Sequence, residues 1–232
     1  MNNYLLVPDI HVAVTPAGAY HATASREVTR TRNFLFALLD QPVTPALSAQ
    51  RLHQWCETES LDEALELLYR MQTVGWVRGV RTPLTAPGSH MERDIPPLLH
   101  ELAAGGQAML ADADGFFLAG SGFTHEAAEA LAALSADIAA VAARHEGLVR
   151  KNLGVDSAAW SVVDAAGHSQ LGFWPLYIGK QHFLLATAGE PCLHRSAFAQ
   201  LVWGLARRYA GEREDSRLGV ARKKTSSASK FR

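Results

Sequence analysis

Leu110-Ala-Asp-Ala-Asp-Gly-Phe-Phe-Leu-Ala-Gly120 is the stretch on which the fold turns. Two apolar runs flank Asp114-Gly115, a dipeptide suited to a tight hairpin because glycine adopts the positive φ such turns need. Asp112 and Asp114 resemble an acid pair, but aspartate is also a favoured turn residue, and the hairpin accounts for both. The stretch predicts strand, turn, strand within Gln107–Ser121. Before it, Asp94-Ile-Pro-Pro-Leu-Leu-His-Glu-Leu-Ala103 predicts a helix with an acidic cap and prolines in its first turn. After it, Thr124 opens a long alanine-rich helix to about Arg150, with Thr124 as N-cap and Glu126 and Glu129 in its early turns. Three strands are then expected at Ser157–Val163, Ser169–Leu176 and Gln181–Thr187, separated by turns at Asp164–His168 and Ile178–Lys180. A last helix is expected from about His194 to Tyr209, with Phe198, Leu201, Val202 and Leu205 on one face.

The order α-β-β-α-β-β-β-α resembles the roadblock/dynein light chain family over residues 92–210. The hairpin at Leu110–Gly120 is the most specific element of the likeness. Leu131-Ala-Ala-Leu134 in the long helix and Gln181-His-Phe-Leu-Leu-Ala-Thr187 as last strand fit as well. The resemblance implies an α+β fold with a five-stranded antiparallel sheet; helices are expected on one side of it, with the N-terminal domain or a partner protein as cover for the other. The resemblance also implies a bacterial-type adaptor without enzymatic activity, which dimerises and binds another protein, with a Ras-like small GTPase as the candidate partner. The family is often a single compact domain, so the N-terminal 90 residues have no counterpart in that form.

Upstream, Arg81-Thr-Pro-Leu-Thr-Ala-Pro-Gly-Ser-His90 carries the residues of a linker. It predicts a smaller domain at 1–80, a linker at 81–91, the roadblock-like domain at 92–210 and a tail at 211–232. In the first domain, His11–Thr15 and Ala19–Thr23 around Pro16-Ala-Gly18 predict a hairpin. Thr31–Leu39, Ser48–Cys56 and Ser60–Val74 predict three helices, the last with a capping box from Ser60 to Glu63. Trp76–Val80 follows as a short strand or wing. This order is winged-helix-like and is similar to peptide-binding modules of the PqqD type. A DNA reader would carry a basic third helix, whereas this one displays Asp62, Glu63 and Glu66 against Arg70. Nucleic-acid binding is therefore not expected of it, and a transcription-linked regulator with a sensory C-terminal domain is the alternative reading.

Composition bounds the rest. With 48% hydrophobic and 19% charged residues in 232, the chain is a globular protein rather than a disordered one. The net charge of −1 conceals an asymmetry: Arg217–Arg232 carries +6 and the preceding residues −7. That tail is expected to be disordered, solubilising, and at most a loose holder of nucleic acid or anionic lipid. No apolar run approaches the ~20 residues that cross a bilayer, the first eight residues do not form a secretory signal, and a cytoplasmic location is expected. Cys56 and Cys192 lie too far apart in sequence to suggest a disulfide framework.

The search for chemistry returns no catalytic set. Gly120-Ser-Gly122 lacks the third glycine of a dinucleotide loop, no Gly-Lys-Ser/Thr is present, and no Gly-x-Ser-x-Gly elbow appears. The ten histidines form no metal-ligand spacing; Cys192-Leu-His194 is the nearest pair, and His100, His125 and His145 read as surface histidines. Neither catalytic residues, nor a cofactor, nor a metal is expected.

The candidate sites are contacts. Leu131, Leu134, Ile138 and Val141, continued by Leu148, fall at heptad-like spacing on the long helix, while Ala128, Ala132, Ala139 and Ala143 form a second, small-residue face. Two faces suggest packing on two sides. The resemblance places a homodimer interface at this helix and the strand after it, joining two sheets into one. Phe116, Phe117, Phe123, Phe173, Trp174 and Tyr177 are expected to offer a partner-binding surface on the sheet.

Overall fold

The computed structural model describes residues 4–88, 90–155 and 157–209, and the expected basic tail lies outside them. The protein is α+β. Its elements are β1 (His11–Val14), α1 (Pro16–Thr23), α2 (Arg30–Leu39), α3 (Ala49–Cys56), α4 (Leu61–Thr73), β2 (Val77–Val80) and α5 (Met91–Glu101), followed by β3 (Ala108–Ala111), β4 (Phe117–Ser121), α6 (His125–Arg144), β5 (Trp160–Val163), β6 (Ser169–Ile178), β7 (Gln181–Ala188) and α7 (Ser196–Tyr209). β3 to β7 form a five-stranded antiparallel sheet in the order β4-β3-β7-β6-β5.

The decisive hairpin forms as expected. Gly115 adopts φ +85°, and Asp112 Oδ1 accepts from the amides of Asp114 at 3.0 Å and Phe116 at 2.8 Å. Asp112 thus ties the turn together.

Apart from its outer strand β5, the sheet is covered on both faces, not on one. Met109, Ala111, Phe173, Leu184 and Ala186 pack beneath Leu131 and Ala132 of α6. Their neighbours of opposite parity, Ala108, Leu110, Leu176, Phe183 and Leu185, join Leu99 of α5 and Phe198, Leu201 and Val202 of α7. Side chains alternate along a strand, so a run such as Ala108-Met-Leu-Ala111, buried at every position, needs a layer on each side.

The N-terminal segment departs from the expected hairpin. β1 pairs antiparallel with β2, from His11 opposite Val80 to Val14 opposite Val77, and residues 16–23 are helical. Thr15 is the cause: its Oγ1 accepts from the Gly18 amide at 3.1 Å, and Pro16 follows at the first helical position, where a missing N–H costs nothing. The three expected helices form as α2, α3 and α4, capped by Thr29, Ser48 and Ser60. α1 stands where a second strand would complete a winged-helix order.

This segment rests on α7. Trp203 Nε1 donates to Gln41 O at 2.8 Å, Arg207 Nη1 donates to Asp40 O at 2.5 Å, and the Tyr20 and Phe198 rings approach to 6.4 Å between centroids. Phe34, Leu35 and Leu52 belong to the same buried cluster as Leu110, Phe183 and Phe198, so hydrophobic packing is continuous across residues 81–91. Within that stretch, the Leu84 and Ala86 amides donate to Thr44 Oγ1 and Pro42 O at 2.8 and 2.9 Å.

Two boundaries also differ. α5 begins at Met91, which puts Pro96 and Pro97 inside the helix instead of in its first turn. α6 ends at Arg144, and a π-helical turn, Gly147–Asn152, replaces its expected last turns. Gly147 is the weakest helix former there.

Candidate functional site

β5 is the outer strand of the sheet, and all four of its residues, Trp160-Ser-Val-Val163, are exposed. Its outer edge presents unpaired backbone groups with neither lysine nor proline to discourage pairing, and Val162 and Val163 are more than half exposed. α6 adds Leu134 at 45% and Val141 at 41% exposure. The four expected interface residues do not share one environment. Leu131 is buried against the sheet with Ala128, Ala132 and Ser135, because at 100° per residue these four form one stripe. Leu134, Ile138 and Val141 form the adjoining stripe. Ile138 is half-buried at its boundary, lining a narrow crevice with Phe173 and with Ala158, just before β5. Leu131 is therefore a core residue; Leu134 and Val141 remain available at the surface.

The six aromatic residues divide as well. Phe173 is buried under α6, and Phe117 and Phe123 pack against that same cluster, so these three are corrected from surface to core or its margin. Strand alternation decides this, since Phe173 shares the parity of Leu171. The Phe117 ring meets His125 edge-to-face at 5.8 Å. Phe116, at the hairpin turn, is 68% exposed. Trp174 and Tyr177 line a cavity of about 1040 Å³ together with residues distant in sequence.

That cavity follows from a mismatch in strand length. β5 pairs with β6 only from Val163 opposite Ser169 to Trp160 opposite Phe173, leaving Trp174–Ile178 paired to β7 alone. Pro175 lies in this stretch, where the lack of a backbone donor is tolerated. The start of α1, Trp76 before β2, the end of α6, the π-helical turn and the Pro191–His194 loop enclose the gap.

Its lining is aromatic and cationic. Among the described residues, Trp76, Trp160, Trp174, Tyr20 and Tyr177 contribute rings, Arg26, Arg32 and Arg150 contribute positive charge, and Glu146 contributes a carboxylate. His21 stacks on Trp76 at 3.6 Å between centroids, and its Nε2 lies 3.2 Å from Thr31 Oγ1. Burial, with the nearby Arg32 charge, holds His21 below the ordinary histidine range. Arg32 donates to the carbonyls of His21 and Glu27 at 3.0 and 3.1 Å, and Arg150 meets the Glu27 carboxylate at 2.7 Å. The Arg26 guanidinium lies 5.1 Å from the Tyr177 centroid. Burial raises the Tyr177 phenol, an effect opposed by Arg26.

Elsewhere, Cys56 and Cys192 are buried thiols, and burial pushes Cys56 up to about 11, which keeps it protonated at neutral pH. Among the described residues no group of three or more His, Cys, Asp or Glu could hold a metal ion. On α4, Asp62, Glu63 and Glu66 are exposed and Arg70 is paired to Glu66, so the helix presents net negative charge. No helix among the described residues is long and apolar enough to cross a membrane.

Trp174 and Tyr177, expected on a partner-binding surface, line the cavity, and no motif in the sequence singled out Arg26, Trp76 or the cavity itself. The nearest local signal is Pro175: a proline within an expected strand marks an edge.

No family model matches the chain, and no curated protein matches it significantly. Among solved structures it is similar to the crystal structure of a Roadblock/LC7 domain from Streptomyces avermitilis. The likeness has 16% identity and a TM-score of 0.28, covering 44% of this chain and 78% of that one.

Proposed function

We propose that the protein is a non-enzymatic, roadblock-like adaptor that forms a homodimer and binds a further protein, with a Ras-like small GTPase as the partner class. The observation that carries this reading is the unguarded apolar outer edge of β5 beside the exposed Leu134 and Val141 of α6. Supporting it are the element order from α5 to α7 and the order of the five strands. Two β5 edges would pair across a two-fold axis, removing both exposed edges, and the α6 stripes would close over the joint. The exposed Phe116 at the hairpin turn is the remaining aromatic contact for the partner.

Light scattering tests the assembly. The wild-type chain is expected at twice its 25.2 kDa mass, and the double substitution Leu134→Asp, Val162→Lys at the single mass with unchanged circular dichroism. Both residues are exposed in the monomer, so their replacement spares the core. A wild-type monomer at high concentration refutes the homodimer.

A further inference from the structure

We infer that the cavity beside β6 is a binding site for a planar heteroaromatic phosphate, a ligand of mononucleotide or flavin-nucleotide size. Its volume, about 1040 Å³, is just above the usual range for small-molecule sites, roughly 300–1,000 Å³. Three of the five tryptophans of the chain face it. Their rings come from three separate parts of the sequence, at Trp76, Trp160 and Trp174; one face of Trp76 is covered by His21, and the remaining ring surfaces in the lining are of the kind on which a planar ligand stacks.

Charge selects the anion. Residues 1–216 sum to −7, yet among the described residues this lining carries three arginines and, of the carboxylates, that of Glu146. Glu27 answers two of the three, reaching Arg150 at 2.7 Å and Arg32 at 4.0 Å. Arg26 pairs with no carboxylate among the described residues and rests on the face of Tyr177. A guanidinium so placed can form a two-pronged contact with phosphate while its aromatic support holds the fork in plane. The N-terminal end of α1, with Thr15, Pro16 and Ala17 in the lining, adds a favourable partial charge.

The shape of the gap also favours a small ligand over an added peptide strand. Strand addition would use the outer backbone groups of Trp174–Ile178, but Pro175 removes a donor from that run. The π-helical turn carries Val149 and Arg150 into the lining, and such turns recur at functional sites.

Titration with flavin mononucleotide and with adenosine monophosphate tests the inference. The readouts are flavin emission and tryptophan emission, with riboflavin, adenosine and inorganic phosphate as comparison probes. At least one of the two phosphates should quench saturably, and its unphosphorylated parent should bind about tenfold more weakly, the value of one lost charge-assisted contact. Inorganic phosphate should not change the emission. Arg26→Ala, at an exposed side chain that leaves the fold intact, should abolish the preference for the phosphate. Trp174→Leu should weaken both the phosphate and its parent, with the fold verified by circular dichroism. The inference is overturned if neither phosphate saturates by about 1 mM, a Kd too weak for a dedicated site, if parent and phosphate bind equally, or if Arg26→Ala binds as the wild type does.

Discussion

Gly18→Ala should destabilise the protein although it improves a helix. Gly18 lies in the first turn of α1 at an ordinary helical φ, so alanine by itself would gain about 0.5–1 kcal/mol from propensity. A Cβ there would sit 2.0 Å from the carbonyl oxygen of Trp76 and 2.8 Å from its carbonyl carbon. The obstacle is backbone and cannot rotate aside. That oxygen accepts from the Thr15 amide at 3.0 Å and from Thr15 Oγ1 at 3.2 Å, so moving it disturbs the cap of α1 and the entry to β2. Overpacking costs about 1–3 kcal/mol, and a weakened pair of hydrogen bonds about 1 kcal/mol more. The clash outweighs propensity by about 1–3 kcal/mol, which lowers Tm by roughly 2–12 °C for a chain of this length. Differential scanning calorimetry at fixed concentration reads the shift. Gly147→Ala is the control, because nothing lies within 4 Å of its Cβ position and its φ is not positive; its Tm should be unchanged or slightly raised. A Gly18→Ala protein melting at or above the wild-type temperature would refute the close packing of α1 on Trp76.

Phe198→Ala should cost about 3–5 kcal/mol, since the ring is fully buried between Tyr20 and the sheet. Because packing is continuous across residues 81–91, near-UV and far-UV signals should move together; a second transition left unshifted would contradict this. Stability should also rise with pH below neutrality. Burial depresses His21 and His182, so the unfolded chain binds more protons between their folded values and ~6.5, and stability is complete only above that unfolded value. Urea midpoints from pH 5 to 7.5 should climb, and His21→Gln should flatten part of the slope; a slope unchanged in that variant would show that His21 does not contribute.

The elements legible in sequence were those whose signals are local. Asp114-Gly115 specified its hairpin, and Ser60 marked the start of α4, because one side chain satisfies nearby amides in each case; the reciprocal half of the expected capping box is replaced by Thr58, whose hydroxyl accepts from the Ser60 amide and donates to Glu63. Thr15-Pro16 carried an equally local signal for α1, but competed with the turn reading of Pro16-Ala-Gly18. Gly18 was in fact required by Trp76, 58 positions away, and no local pattern announces such an approach. The second helical layer was encoded in Ala108-Met-Leu-Ala111, whose unbroken apolar run needs cover on both faces. For the candidate site, spacing on α6 grouped Leu134 and Val141, which are exposed, with Leu131, which is buried, since only the placement of the sheet decides which stripe is covered. The cavity was hidden for the same reason: Arg26, Trp76, Trp160 and Trp174 meet only after the N-terminal segment docks.

One difference in length underlies both surfaces. β6 has ten residues and β5 has four, so the sheet ends in two kinds of edge. Along β5 the edge is apolar, exposed and without a blocking residue, the condition in which backbone pairing with another strand is favourable. Beyond Trp160 the edge belongs to β6, where Pro175 interrupts the donors and the ends of α1 and α6 stand over the gap. A strand would lose there both hydrogen bonds and room, whereas a flat ligand needs neither a ladder nor a free edge. Trp160 sits at the boundary, closing the paired part of β5 and lining the cavity. The same four-residue strand therefore separates a surface suited to a second copy of the chain from one suited to a small molecule. Occupancy of either can act on the other through Trp160 and through the end of α6, where Val141 of the exposed stripe adjoins Ala142 and Ala143 of the cavity lining, and any such coupling is equal in both directions.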